Sequence, residues 1–162
     1  MDKIVFITGA SSGIGAGCAR KFASQGASLI LNARNVNKLS ALKEELEKQY
    51  GAKIYLLPFD VRDRKAATSA LESLPKEWQS IDILVNNAGL VIGTDKEQEG
   101  SLDEWDIVID TNIKALLAMT RLIVPGMVER KRGHIINIGS IAGDAAYPGG
   151  SVYCATKAAV KA

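Results

Sequence analysis

Two residues four apart, Tyr153 and Lys157, fall at the start of a helical pattern and therefore share one face. An ammonium about 4 Å from a phenol, at an effective dielectric near 20, is worth on the order of 4 kcal/mol, or about three pKa units. A phenol ordinarily titrates near 10, so that neighbour would bring it within reach of proton exchange near neutrality, the property a general acid/base needs. The spacing is also common on ordinary helix surfaces, and alone it decides nothing.

A second stretch could bind a phosphate. Thr8-Gly9-Ala10-Ser11-Ser12-Gly13-Ile14-Gly15 follows the apolar run Ile4-Val5-Phe6-Ile7 and opens a helical pattern. Gly9 suits a tight turn, Gly13 lets backbone approach a pyrophosphate, and Gly15 lets the helix pack close to the strand. The helix N-terminus then offers free amides and a partial positive charge. An ordinary strand-to-helix turn can look the same. The strand before and the helix after favour the dinucleotide reading, and no Walker-type lysine follows.

A dinucleotide binder that takes NAD places a carboxylate after its second strand to hold the ribose hydroxyls. Here the segment reads Leu31-Asn32-Ala33-Arg34-Asn35, with no acid and with an arginine able to clamp a 2′-phosphate. The expected cofactor is therefore NADP rather than NAD, the alternative for Arg34 being a solvated surface side chain.

The elements that must position these groups alternate. Candidate strands are Ile4–Thr8, Ser28–Leu31, Lys53–Pro58, Ile81–Val85 and His134–Ile138. Helical patterns cover 14–25, 37–49, 63–73 and 102–130, and another begins near Ser151. Ser101-Leu102-Asp103-Glu104 reads as a capping box, and Glu44 precedes Lys48 by four residues, the favourable order for a helical ion pair. Apolar strands such as Ile81-Asp82-Ile83-Leu84-Val85 suit a sheet covered on both faces. With right-handed β-α-β crossovers the result is an α/β, Rossmann-like, doubly wound parallel sheet with helices on both faces.

Composition agrees. The 162 residues are 47% hydrophobic and 23% charged, enough for one domain with a core, spanning 1–162, and too apolar for a disordered chain. Lys and Arg number 20 against 18 Asp and Glu, a net +2 that gives no reason to expect a nucleic-acid or membrane-surface partner. No apolar run approaches the roughly 18 residues of a spanning helix. Met1-Asp2-Lys3 leads straight into the first strand without a secretory h-region. Cys18 and Cys154 fit free thiols in a reducing compartment, so a cytoplasmic location is expected.

Thr8-Gly9-x-x-x-Gly13-x-Gly15, Asn86-Asn87-Ala88-Gly89, Asn112, Ser140 and Tyr153-x-x-x-Lys157, in this order, resemble the short-chain dehydrogenase/reductase family. The stretches from Leu74 to Leu90 and from Asp110 to Tyr153 most resemble its NADP-dependent 3-hydroxy acid dehydrogenases, which act on serine, allo-threonine or 3-hydroxypropionate-type substrates. The resemblance implies a hydride-transferring oxidoreductase on a small-molecule substrate. Tyr153 would be the general acid/base, Lys157 would lower its pKa and hold the nicotinamide ribose, and Ser140 would hydrogen-bond the substrate oxygen beside Tyr153. Asn112 would bend its helix and bind a water in a proton relay. Gly9, Ser11, Ser12, Gly13, Ile14 and Gly15 would surround the pyrophosphate and Arg34 would hold the 2′-phosphate. Asp60 and Val61 would contact adenine, and Asn87, Ala88 and Gly89 would line the adenosine side. Asn35 stands where relatives often carry a second basic residue, which softens the NADP preference.

Relatives are usually tetramers or dimers, so a homo-oligomer is expected. The helix at 151–162 still reads as helix former at Ala162, and the family's last third would follow it. If the polypeptide ended there, the resemblance would imply an NADP(H)-binding module without catalysis. The remaining residues have plainer expectations. His134 is structural, with no metal-ligand cluster around it. Cys18 is core and Cys154 has no role. Trp78 and Trp105 pack, and Glu129-Arg130-Lys131-Arg132 is a solvated helix end. Tyr147 and Pro148-Gly149-Gly150 either shape a substrate pocket or form a structural loop.

Overall fold

The computed structural model describes residues 3–162; Met1 and Asp2, the sequence's lead-in to the first strand, lie outside the described residues. Five parallel strands, β1 (Ile4–Ile7), β2 (Ser28–Leu31), β3 (Ile54–Leu56), β4 (Ile81–Asn86) and β5 (His134–Asn137), form one sheet in the order β3-β2-β1-β4-β5. Helices α1 (Gly13–Ala23), α2 (Val36–Tyr50), α3 (Arg64–Glu72), α4 (Leu102–Ile109), α5 (Ala115–Glu129) and α6 (Ser151–Lys161) connect or follow them. The expected Rossmann-like doubly wound sheet is present, with boundaries moved by no more than two residues.

Alternation along each strand feeds two cores. Val5, Ile7, Leu29, Leu31, Ile83 and Val85 pack with Ala16, Ala19, Leu39, Leu42 and Leu46 of α1 and α2. Phe6, Ile30 and Leu84 point the other way, against Ala67 of α3 and Met119, Ile123 and Met127 of α5. Each Val, Leu, Ile, Phe or Met side chain among them taken fully from water contributes about 1.5–3 kcal/mol. The strands are buried on both faces because helices cover both, except at β5. There His134, Ile135 and Asn137 are exposed, since β5 is an outer strand among the described residues.

The helix ends follow from local chemistry. Asn35 caps α2 by accepting from the Lys38 N–H at 3.0 Å, and Asp63 caps α3 through Lys65 and Ala66. Ser101 accepts from the Glu104 N–H at 3.4 Å, the serine half of the expected capping box. The long helical pattern at 102–130 is broken once, by a π-helical segment at Asp110–Lys114 that contains the buried Asn112.

The basic run after α5 is largely exposed, as expected of a solvated end, but two of its side chains also make tertiary contacts. The β1–β4 register slips between Ile4/Ile81 and Val5/Ile83, which leaves Asp82 in a bulge. Asp82 accepts from the Ile4 N–H at 3.0 Å and pairs with Arg132 at 2.9 Å, while Arg130 donates to the Ile81 carbonyl at 2.7 Å. Two of the three basic side chains thus tie the α5–β5 turn to the start of β4. A buried carboxylate and an open carbonyl draw them in.

Candidate active site

Strand order reverses between β1 and β4, and an open parallel sheet binds its ligand outside the carboxyl ends of the strands at such a point. A cleft of about 910 Å³ lies there, lined by residues from the ends of all five strands and from α6.

The floor is the loop from β1 to α1. Gly9 has φ +63°, and a Cβ on it would come within 2.9 Å of Ala88 Cα. A Cβ on Gly15 would lie 2.3 Å from the Gly9 carbonyl and 2.5 Å from Asn87 Nδ2. Gly15 therefore does not line the cleft; it lets α1 press against the loop that does. Ser11, Ser12, Gly13 and Ile14 line it beside Gly9, and Ser12 at the α1 N-cap makes no side-chain cap. The helix thus turns uncapped amides and its positive end toward the cavity.

The loop after β4 is sewn to this floor. Thr8 Oγ1 accepts from the Asn87 and Ala88 N–H groups at 3.0 and 2.9 Å, and Asn87 Nδ2 donates to the Thr8 and Gly9 carbonyls. Asn87, Ala88 and Gly89 all line the cleft, but the Asn87 amide is spent on holding the glycine loop. Thr8 was visible in the sequence only as part of a motif. Its work as the joint between two loops depends on the β1–β4 pairing.

At one end of the cleft the side chains are charged. Arg34 is 68% exposed and lies 3.9 Å from the Asp60 carboxylate, which Arg62 grips at 2.6 Å. The hydrogen-bonded Arg62 guanidinium holds the Asp60 carboxyl below the ordinary aspartate range. Val61 lines the cleft beside Asp60. Asn35 lines it as well, but its side-chain oxygen is committed to capping α2. One turn later Lys38, which the sequence reading missed, lines the same end. The Asn35 cap was the signal that could have found it, because capping fixes which face the next turn presents. Asn32, 1% exposed, closes the wall by donating to the Leu57 and Phe59 carbonyls at 3.0 and 3.1 Å.

At the other end the polar groups are buried. Tyr153 is half-buried and lines the cleft, with Lys157 Nζ 5.9 Å from its ring centroid. Lys157 is 8% exposed and donates to the Ile138 carbonyl at 2.9 Å; its burial pushes its pKa below the ordinary lysine value. Ser140 stands one residue past Gly139 of the lining, and its oxygen accepts from the Ala142 N–H at 3.1 Å. That contact uses the oxygen and leaves the hydroxyl proton available. Asn112, 2% exposed, is outside the cleft wall. Its amide holds both backbone groups of Leu90 at 2.9 Å and reaches Thr156 at 3.0 Å.

The loop 144–150 is held beside this end by close contacts and by the ion pair of Asp144 with Lys161. A Cβ on Gly149 would sit 2.5 Å from the Thr94 carbonyl, and one on Gly150 would sit 2.4 Å from the Tyr147 ring. Cys154 is buried and Cys18 is half-buried, neither in a disulfide. Among the described residues no group of three or more His, Cys, Asp or Glu is arranged to hold a metal ion.

A glycine-floored cleft at the switch point, with Tyr153 and Lys157 at one mouth, is the arrangement that the sequence motifs imply, and residues 3–162 match the short chain dehydrogenase family. The chain belongs to that family. It is 50% identical over 158 residues to the NADP-dependent 3-hydroxy acid dehydrogenase YdfG of Escherichia coli (strain K12), covering 98% of this chain and 62% of that protein. It is 43% identical over 162 residues to sulfoacetaldehyde reductase 2 of Chromohalobacter salexigens, covering 99% of this chain and 64% of that protein. Among solved structures, the closed form of serine dehydrogenase complexed with NADP+ superposes with a TM-score of 0.90 at 49% identity, covering 98% of this chain and 62% of that one. The chain thus spans a little under two thirds of the length of these relatives.

Proposed function

We propose that residues 1–162 form one dinucleotide-binding domain of an NADP-dependent oxidoreductase acting on a small hydroxy acid or a related alcohol/carbonyl pair. The observation that carries this reading is the layout of one cleft. Tyr153 and the buried Lys157 stand at one end, Arg34 and Lys38 at the other, and a glycine floor with an uncapped helix N-terminus runs between them. The cavity fits an extended dinucleotide: the floor is too close-packed for a Cβ at Gly9 or Gly15, and Arg34 and Lys38 gather where a 2′-phosphate would end.

Bound there, a nicotinamide supplies or takes up the hydride. Tyr153 donates a proton to the carbonyl oxygen as the alcohol forms and takes it back in the oxidative direction. Lys157 keeps a positive charge beside that ring, 5.9 Å from its centroid. Ser140 donates its free hydroxyl proton to the substrate oxygen, where negative charge grows in the transition state. Gly9, Ser11, Ser12, Gly13 and Ile14 hold the pyrophosphate, and Asp60, Val61 and Asn87 to Gly89 border the adenosine. Arg34 takes the 2′-phosphate, with Lys38 in the place left by Asn35. Asn112 bends its helix through the π segment; its side chain is engaged by Leu90 and Thr156, so any relay water rests on its backbone or on Lys157.

The names of the relatives point to one substrate chemistry. A 3-hydroxy acid and sulfoacetaldehyde each carry an anionic group near the reacting carbon. We extend that class, an alcohol or carbonyl close to a carboxylate or sulfonate, to this protein. Free Cys18 and Cys154 favour a cytoplasmic location. Leu117 and Val128, 60% and 67% exposed on α5, favour a homo-oligomer, a dimer or tetramer. No helix among the described residues is long and apolar enough to cross a membrane.

The test is a fluorescence titration with NADPH and NADH, followed by NADPH consumption on a panel of short carbonyl acids and sulfonates. Tighter NADPH binding and turnover confined to anionic carbonyls are expected. Equal affinity for the two nucleotides would remove the account of Arg34, and tight binding without turnover on any member would make the chain a nucleotide-binding module.

A further inference from the structure

Thr156 lies between Tyr153 and Lys157 in sequence, yet it turns away from the cleft and is 1% exposed. Its hydroxyl donates to the Tyr153 carbonyl at 2.8 Å and accepts from Asn112 Nδ2 at 3.0 Å. The other Nδ2 proton goes to the Leu90 carbonyl, and Asn112 Oδ1 accepts from the Leu90 N–H, both at 2.9 Å. With the Thr156 proton spent on Tyr153, its oxygen can only accept, so the Asn112 amide must present nitrogen to Thr156 and oxygen to the Leu90 N–H. Gly89, next to Leu90, packs between these groups: a Cβ there would lie 3.3 Å from Asn112 Oδ1 and 3.6 Å from Lys157 Nζ. Gly89 and Leu90 are cleft wall.

We infer that Thr156 is a positioning residue whose hydroxyl, acting through Asn112, holds the Gly89–Leu90 wall in register with the helix that carries Tyr153 and Lys157. The chain of contacts is short, its central Asn112–Thr156 bond is buried, and every proton on it has one acceptor. Losing the hydroxyl leaves an Asn112 N–H without a partner in a dry site, and the amide can then recover a bond only by turning away from Leu90. The consequence for catalysis rests on the oxidoreductase reading above; the register of the wall does not.

The experiment compares Thr156→Val, which keeps the shape, with Thr156→Ser, which keeps the hydroxyl. It reads Leu90 amide hydrogen exchange by NMR, the NADPH dissociation constant and, where turnover is found, kcat. In Thr156→Val, Leu90 exchange is expected to rise by about tenfold, the scale of one lost buried hydrogen bond, and kcat to fall by a similar factor with NADPH affinity little changed. Thr156→Ser is expected to restore both. If valine crowds α6, Thr156→Ala takes the same readout. Unchanged Leu90 exchange in the hydroxyl-free variant overturns the inference, as does a serine variant as impaired as the valine. Raised exchange in a protein that turns over no carbonyl supports the latch and counts against the oxidoreductase reading instead.

Discussion

At the Arg34 end of the cleft the charged groups stand in water: Arg34 is 68% exposed, and the nearest carboxylate, 3.9 Å away, is already held by Arg62. At the Tyr153 end they are buried, with Lys157 8%, Asn112 2% and Thr156 1% exposed, and each has a named hydrogen-bond partner. Interactions in water are weak one at a time and screened by salt. Interactions in a dry network are strong, and losing one strands another group. On the proposed reading, recognition of the cofactor is graded and tunable at the first end, whereas the chemistry at the second end depends on every member.

The largest effect should come from the buried end. Lys157→Met is expected to lower kcat by about 10²–10⁴, the usual worth of acid–base machinery, while the fold persists, because burying an ammonium costs stability. The sign can be worked out. Burial lowers the folded-state pKa of Lys157, so at alkaline pH the unfolded chain binds more protons and stability rises with pH through that window. Thermal melts from pH 7 toward pH 10 should therefore show the wild type gaining on Lys157→Met.

Between the ends, the floor should respond by geometry alone. Gly15→Ala puts a Cβ 2.3 Å from the Gly9 carbonyl, and overpacking of this kind costs about 1–3 kcal/mol. NADPH affinity should fall by about 10- to 100-fold, the equivalent of that cost. Gly17→Ala, whose Cβ meets nothing within 4 Å, should leave binding alone and raise the melting temperature slightly, since glycine costs a helix interior about 1 kcal/mol.

The solvent-facing end should show smaller effects. Arg34→Ala is expected to cut the preference for NADPH over NADH by about tenfold, the worth of one charge-assisted pair, and the loss should shrink as salt is raised. Smallest is Asp60→Asn. The Asp60 carboxyl is held low by Arg62, so its contribution, about 0.2–1 kcal/mol as for other partly exposed pairs, is present above pH 4 and fades as acid protonates it. Melts at pH 5 and pH 3 should show the wild type losing more than the variant.

The same contrast explains what could be read without coordinates. The sheet, its helices and the glycine floor were legible because alternation and glycine spacing are local signals. The placement of Tyr153, Lys157 and Arg34 on one cleft followed from the parallel β-α-β order, which brings the carboxyl ends of the strands to one edge. Thr8, Lys38, Arg62 and Thr156 were not legible, because each acts across a tertiary contact: Thr8 across the β1–β4 pair, Thr156 across the α6 packing against the π segment. The contacts of Arg130 and Arg132 were not legible for the same reason, since the bulge that brings Asp82 to Arg132 exists only once β1 and β4 have paired.

The central claim is that the Tyr153 hydroxyl exchanges the proton at a cleft that binds NADPH. Tyr153→Phe removes only that oxygen, so NADPH titration and NADPH consumption measured on the same preparation test it most directly. Unchanged nucleotide affinity with turnover lowered by at least about 10² is the predicted result. Turnover equal to that of the wild type would contradict the account.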